Sequence, residues 1–448
     1  MQPPTLQLLS PLTALTACLY LLSPGTADAA TTYVDTLEVL NCNDSGAGSL
    51  RRAVQTAPSG SLIDLTGLAC RRIDLTSGAI EVLQDDLTLK GRGYSATTID
   101  GGLTTSVLRH SGAGRLTLHG LTVQRGFHHA AGEAYGGCVY SQGAVELRHA
   151  RVRWCRALSD NGESEGGAVY AEGPLRVFYS RVLGNTAYHA AGLRTLDRLR
   201  VHHSWISSNN SPIGRGGGAF ADKGMELTNA TFSGNKGGAI RAFEDTVIAN
   251  STISGNRSRN TPTLWIGPDG AAQVGASAVI INSTVSGNTA NRSIVRFSGF
   301  PNSITNSTIA FNDMYAYPTE AGCPPSAVEV LDPQSPLHLD STIIANNTCY
   351  GEPYTDLWIF WPGTPNVVGA NNLVMRSYGI ALPPDTLHSD PMLKPLAANG
   401  GPTRTHALPA YSPAVDSGNN AAGLPHDQRG SGFPRVQGEQ ADIGAYER

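Results

Sequence analysis

The stretch Asn250-Ser251-Thr252-Ile253-Ser254-Gly255-Asn256 returns as Asn282-Ser283-Thr284-Val285-Ser286-Gly287-Asn288 and again as Asn306-Ser307-Thr308-Ile309-Ala310-Phe311-Asn312. A phrase that recurs every few tens of residues marks a stack of similar units, each packed on its neighbours. Within each phrase a β-branched apolar residue sits between polar ones, the period-two pattern of a short strand. Gly-Asn at the end of the phrase tolerates positive φ and turns the chain at the same place in every unit.

Further copies flank these three: Ser180-Arg181-Val182-Leu183-Gly184-Asn185, Ser204-Trp205-Ile206-Ser207-Ser208-Asn209, Ala230-Thr231-Phe232-Ser233-Gly234-Asn235 and Ser341-Thr342-Ile343-Ile344-Ala345-Asn346. The closing residues Asn185, Asn209, Asn235, Asn256, Asn288, Asn312 and Asn346 are separated by 24, 26, 21, 32, 24 and 34 positions. A minimal coil near 21 residues with insertions of variable length is the pattern of a solenoid with loops. A second phrase, Gly136-Gly137-Cys138-Val139, Gly166-Gly167-Ala168-Val169, Gly217-Gly218-Ala219-Phe220 and Gly237-Gly238-Ala239-Ile240, interleaves with the first, so each coil holds at least two strands. Parallel stacking of equivalent strands satisfies the backbone, and the closing asparagines are predicted to form a side-chain amide ladder. The expected fold is an all-β, single-stranded, right-handed parallel β-helix. No Leu-rich repeat and no Gly-Gly-x-Gly-x-Asp calcium nonapeptide is present.

Upstream, Asp86-Leu87-Thr88-Leu89-Lys90-Gly91 and the alternating run from Arg115 to Val123 read as first coils. Leu50, Ala53 and Val54 have the spacing of one helical face, which suits an amphipathic cap over the exposed end of a solenoid. The expected organisation is a signal peptide over 1–29, an N-terminal cap over 30–80, coils over 81–380 and a loop-rich C-terminal module over 381–448.

Leu12 to Leu22 is apolar or weakly polar and too short to span a bilayer. Ala27-Asp28-Ala29 follows as a small-x-small cleavage pattern, which predicts export with cleavage after Ala29. The competing reading, a lipobox-like Leu15-Thr16-Ala17-Cys18, would lipidate Cys18 instead. Neither reading leaves a transmembrane segment in the mature chain. The other cysteines fall into the sequence-local pairs Cys42 with Cys70, Cys138 with Cys155, and Cys323 with Cys349; an even set in an exported chain reads as disulfides, with connectivity left open. Zinc-type spacing is missing, so no metal or cofactor is expected. Of 32 basic residues 28 are Arg, yet they form no basic stripe, which argues against a nucleic-acid partner.

Two groups stand out as candidate sites. Arg198, Arg200 and His202 alternate in one strand and share a face, where a uronic-acid substrate would find a base and a countercharge. Tyr354, Trp358 and Trp361 lie in an aromatic insertion able to stack on sugar rings or to pack on the solenoid flank. Asp85-Asp86 is an adjacent pair whose side chains point to opposite faces, which suits a polar turn better than a carboxylate pair flanking a glycosidic bond.

The last sixty or so residues include Asp390-Pro391-Met392-Leu393, Asn399-Gly400-Gly401-Pro402, Ser412-Pro413-Ala414-Val415-Asp416-Ser417-Gly418, Asp427-Gln428-Arg429-Gly430 and Asp442-Ile443-Gly444-Ala445-Tyr446-Glu447. This segment resembles the C-terminal module of bacterial choice-of-anchor Q proteins, and Gly48 to Val54 resembles the Ser-Leu-Arg-Glu-Ala-Ile segment near their start, with Arg52 in place of the Glu. The coils between resemble the pectin-lyase-like superfamily, though its polygalacturonase signatures are missing, and more loosely the Gly-Gly-Ala-Ile repeats of polymorphic outer-membrane proteins. The resemblance implies an exported or surface protein whose attachment signal, when present, follows the tail. With Arg448 directly beyond that module, release or retention by other contacts is expected. In the tail, Asp416, Asp427, Arg429, Arg435 and Asp442 are expected to form ion pairs that fold it over the final coil. The sequence thus predicts a non-catalytic protein that binds a polysaccharide or another cell-surface component; the alternative is a lyase or glycoside hydrolase of acidic polysaccharide.

Overall fold

The computed structural model describes residues 32–448 apart from 213, 269–272, 317–322, 324–325, 332–335 and 361–366. The expected leader over 1–29, Cys18 and Trp361 lie outside the described residues.

Each complete coil contributes one strand to each of three long sheets. In one coil the chain runs through Leu175–Phe178, Arg181–Leu183 and Leu193–Thr195, which belong to sheets of 13, 12 and 11 strands, here sheets 1, 2 and 3. Their neighbours in the next coil, Leu199–His202, Trp205–Ser207 and Ala219–Ala221, pair with them in parallel and in register. The molecule is a parallel β-helix. No helix among the described residues is long and apolar enough to cross a membrane.

The interior follows from the alternation. Sheet 1 turns two apolar residues inward per coil, as in Val145 with Leu147, Leu175 with Val177 and Leu199 with Val201, and sheet 2 turns in one, as in Val152, Val182, Ile206, Phe232 and Ile253. All are buried, and each such side chain stabilises the stack by about 1.5–3 kcal/mol. The Gly-Gly phrases enter sheet 3 where coils approach too closely for a side chain: a Cβ on Gly167 would sit 2.4 Å from the Thr186 carbonyl oxygen.

The amide ladder runs through the corner after sheet 2. Asn185 Nδ2 donates to Asn209 Oδ1 at 2.8 Å, and the same bond repeats from Asn209 to Asn235 (3.0 Å), Asn256 (2.9 Å), Asn288 (2.9 Å) and Asn312 (2.9 Å). Each acceptor oxygen also takes the backbone N–H of the preceding ladder residue. The column opens where the Cys155 N–H donates to Asn185 Oδ1 at 3.0 Å.

Asn346 is not a rung of this ladder; Asn347 is, accepting from Asn312 Nδ2 at 2.9 Å. The register of that coil is set by Thr342, whose hydroxyl accepts the Ser307 N–H just as the hydroxyls of Ser283 and Ser307 accept in earlier coils, so the phrase starts one residue later than its Ser-Thr-Ile spelling suggests. Asn346 instead takes the positive-φ corner (φ +57°) that Gly255 and Gly287 occupy elsewhere. The ladder ends on Asp356, whose Oδ1 accepts Asn347 Nδ2 at 2.7 Å while its Oδ2 accepts the Arg376 N–H at 3.0 Å. Burial pushes the Asp356 carboxyl up to about 7 against these donors.

At the N-terminal end Ser49 caps the helix Leu50–Thr56, accepting the Arg52 N–H at 3.2 Å, and Leu50, Ala53 and Val54 are buried. Coiling begins earlier than the alternation over 86–91 suggests: Thr36–Glu38 and Ser61–Asp64 already pair in sheet 1 ahead of Leu87–Lys90. Disulfides join Cys42 to Cys70, Cys138 to Cys155 and Cys323 to Cys349.

At the other end Ile380 and Leu382 pack on the interior. The tail that follows does not stop there; it doubles back along the outer face of sheet 2. Gln428 Nε2 donates to Thr252 Oγ1 (2.9 Å), Thr284 Oγ1 donates to Gln428 Oε1 (2.6 Å), and the Ala445 N–H donates to Thr308 Oγ1 (3.1 Å). Leu408, Ala414 and Ile443 pack on Ile343, Ala345 and Leu373. Internally, Arg429 pairs with Asp427 at 2.6 Å between the rings of Phe433 and Tyr446, each 3.9 Å away. Arg435, fully buried, donates to the carbonyls of Gly444 (3.0 Å) and Asp442 and lies 3.6 Å from Glu447. Asp416 and Asp442 form no ion pair with either arginine among the described residues; the Asp416 N–H instead donates to Asp442 Oδ1 at 2.9 Å.

Candidate functional site

The ladder serves as a ruler for the exterior. His149, Tyr179 and His203 stand six residues ahead of Cys155, Asn185 and Asn209, at the corner between sheets 1 and 2. All three adopt positive φ (46°, 50° and 46°), which throws their side chains outward one above the other. The rings stack: His149 on Tyr179 at 5.0 Å and 8°, Tyr179 on His203 at 5.0 Å and 5°.

Four residues ahead of the same ladder positions stand Arg151, Arg181 and Trp205, which alternation turns outward from sheet 2. The Arg181 guanidinium lies over the Trp205 ring at 4.5 Å, and the Arg151 guanidinium lies over the Tyr94 ring at 4.4 Å. At the opposite edge of the same outer face, Arg153 covers Trp154, which sits at the following corner, at 4.0 Å. Trp154, Tyr179 and Trp205 are 49 %, 48 % and 44 % exposed, on three successive coils. Large rings left open to water beside cations can do two things chemically: ring surfaces can stack on the apolar faces of sugars, and the guanidinium fork can match a carboxylate. Burial and the charge of Arg151 push Arg153 below the ordinary arginine range, a mutual repulsion that an added anion would relieve.

A similar alternation of arginine and rings on sheet 3 is closed off. Arg194 over Phe220 (4.2 Å) and Arg241 over Trp265 (3.5 Å) continue the motif, but Arg194, Phe220 and Arg241 are only 6 %, 5 % and 1 % exposed, and Glu165 (2.6 Å) and Asp222 (2.8 Å) hold Arg194. That column joins coils; the one on sheet 2 faces outward.

Arg198, Arg200 and His202 do share the outer face of sheet 1, next to the ring column. Arg200 pairs with Glu226 at 3.0 Å. His202 meets His203 edge-on at 4.4 Å and Tyr179 at 5.9 Å. Burial and neighbouring His203 push its pKa down to about 4, so the ring is neutral at pH 7. Tyr354 packs half-buried against the interior, and Trp358 is half-buried in Leu357–Phe360 at the last coil of sheet 3, away from the open face.

The carboxylates nearest the open face are engaged. Glu146 is bonded by Arg148 and flanked by Arg115 and Arg176 at 3.7 Å each. Asp100 is bound by Arg125 at 2.8 Å, and Asp85 and Asp86 accept the N–H groups of Ala113 and Arg115. Beside them a groove of about 470 Å³ on sheet 1 is lined by Lys90, Arg115, His119, Glu146 and Arg148 among others. Among the described residues no group of three His, Cys, Asp or Glu side chains is placed to hold a metal ion. Sequence reasoning missed Tyr94, Trp154, Tyr179 and Trp205; counting back six and four positions from each ladder residue would have found the latter two.

No protein-family model matches the sequence, and no curated protein matches it. Similar solved structures include the pectate lyase Pel9A (13 % identity over 94 % of this chain and 98 % of that one, TM-score 0.46). The alginate lyase AlyGC of family PL6 is also similar (12 %, 90 % and 60 %, 0.37). So is the catalytic unit of a GH87 α-1,3-glucanase from Streptomyces thermodiastaticus strain HF3-3 (13 %, 81 % and 72 %, 0.32).

Proposed function

We propose that this is an exported β-helix protein that binds an acidic polysaccharide along the open face of sheet 2 without cleaving it. The observation that supports this reading is the run of three exposed rings on successive coils, Trp154 and Trp205 each covered by an arginine and Tyr179 stacked between His149 and His203. Hydrolysis of a glycosidic bond needs two carboxyl groups free to act across it; here the nearby acids hold arginines or backbone N–H groups. His202 has no carboxylate to orient it among the groups that shift its pKa. The three disulfides suit an oxidising compartment outside the cytoplasm. The likeness of the tail to the choice-of-anchor Q module extends the proposal to the cell surface.

The test is calorimetric titration of the protein with polygalacturonate, alginate and a neutral β-glucan. Both acidic polymers are expected to bind more tightly than the neutral one, and Trp205→Ala to weaken them about tenfold, ~1.4 kcal/mol, with an unchanged melting temperature. Release of unsaturated or reducing sugar by the wild type, abolished in Arg200→Ala, would replace binding with catalysis as the function.

A further inference from the structure

Around the corner from Trp205 the same coils build a second, differently charged feature. Asn210, Lys236 and Arg257 follow directly after the ladder residues Asn209, Asn235 and Asn256. Parallel bridges place them one above the other, and their N–H groups are each fixed at 2.8 Å on the carbonyl of the ladder residue one coil earlier, Asn185, Asn209 and Asn235. Lys236 and Arg257 are therefore registered like charges on adjacent strands, roughly 4.8 Å apart in backbone spacing, an arrangement that destabilises a sheet unless something neutralises it. In the same column further on, Asp313 instead accepts a hydrogen bond from Thr348 at 2.6 Å.

Arg259 joins them, and a pocket of about 280 Å³ opens between Asn210, Ser211, Pro212, Lys236, Gly237, Arg257 and Arg259. No carboxylate lines it, and none of its three cations makes an ion pair among the described residues. Its floor is pinched: Gly237 adopts φ +88°, and a Cβ there would lie 2.5 Å from the Ser211 carbonyl oxygen. The cationic side chains thus rise from a backbone that the ladder holds rigid, and the cost of placing them together is already met by folding.

We propose that this pocket is a binding site for a cluster of anionic oxygens, as in inorganic sulfate, the sulfate ester of a glycan or neighbouring carboxylates of a glycan. It requires none of the rings on sheet 2. The shared chemistry is a cluster of anionic oxygens facing two stacked cations and a third beside them. The three cations are exposed and make no ion pair among the described residues, so charge removal is expected to leave stability equal or higher while binding falls.

Three probes separate the sources: inorganic sulfate, a sulfated cello-oligosaccharide, and an oligogalacturonate of equal length, each titrated into the full chain at several salt concentrations. Binding of either oligosaccharide with affinity that falls as salt rises and that drops in the Lys236→Gln, Arg257→Gln double variant supports the proposal, and sulfate binding alone with the same dependence supports it with a free ion as occupant. The Lys236→Gln, Arg257→Gln double variant is expected to lose at least tenfold in affinity without a lower melting temperature; Arg259→Gln should lose less. Trp205→Ala leaves sulfate binding unchanged. Binding indifferent to the double variant overturns the proposal and, where it falls in Trp205→Ala, leaves the ring face untouched; absence of binding by all three probes overturns both.

Discussion

The outer face of sheet 2 has two halves built on one scaffold. From Arg151 to Trp205 its outward positions carry guanidinium groups and rings open to water; from Thr252 to Ile343 the equivalent positions are Thr252, Thr284, Thr308 and Ile343, all buried beneath the protein's own tail. The ladder and the inward residues barely change between the halves, so coil geometry does not decide which is covered. Side-chain size does. Hydroxyls and methyls let tail backbone and Gln428 come within hydrogen-bond distance of the strands, whereas rings and arginines hold any chain off and offer stacking surfaces instead. One half is shaped for a partner within the molecule and the other, on the proposed reading, for a partner outside it.

The sharpest way to break this comparison is to undock the tail. Arg435→Met removes a buried guanidinium and leaves the carbonyls of Gly444 and Asp442 and the Glu447 carboxylate short of a partner. A loss of about 3–5 kcal/mol is expected in denaturant unfolding, with early proteolysis of 390–448. Glycan binding by the open half should survive in the folded fraction.

Next in size is Asn235→Ala, in the coil between the halves. It deprives the Asn209 N–H and Nδ2 of their acceptor and the Ile206 carbonyl and Asn256 Oδ1 of a donor. About 2–4 kcal/mol should be lost. If the ladder couples the halves, hydrogen exchange will show them opening separately in this variant and together in the wild type.

Acid provides a smaller effect on the open half. The folded protein holds His202 at about 4, below its ordinary 6.5, because burial disfavours the charged ring. Unfolded chain takes up this proton first, so the contribution of His202 is complete above pH 6.5 and is lost as pH falls toward 4. Melting temperatures measured from pH 8 to 4.5 should fall less steeply for His202→Gln than for the wild type.

Smallest is Arg200→Ala. Arg200 is half exposed in its pair with Glu226, and about 0.5 kcal/mol or less is expected in stability. Glycan affinity should change little beside the loss in Trp205→Ala; an equal loss would move the binding face from sheet 2 to sheet 1.

Much of this architecture is legible in the sequence because a solenoid writes its contacts locally. The phrase ending in Asn185, Asn209 or Asn235 gives strand, corner and ladder at once, and the helix over Leu50–Thr56 follows from three apolar residues and a capping serine. The slip from Asn347 to Asn346 arose because Ser341-Thr342-Ile343-Ile344 spells the phrase in two registers, and only the Thr342 hydroxyl bond separates them. The path of the tail leaves no local signature: Thr284 and Gln428 are 144 positions apart, and the matching residues are small and polar on both sides. The proposed binding face was hidden for another reason. Its rings come from separate coils, and the nearest pattern visible within a single strand, Arg198, Arg200 and His202, belongs to the neighbouring sheet.

The ladder has a direction. Every amide between Asn185 and Asn347 receives on its oxygen and gives from its nitrogen toward the next coil, and Asp356, lacking an amide donor, brings the sequence of gifts to a halt. A duplicated coil spliced anywhere inside that span would find a giver before it and a receiver after it. One appended beyond Asp356 would meet a carboxylate with nothing to hand on. The molecule is thus built to grow from its middle, with its far end sealed by a single acid.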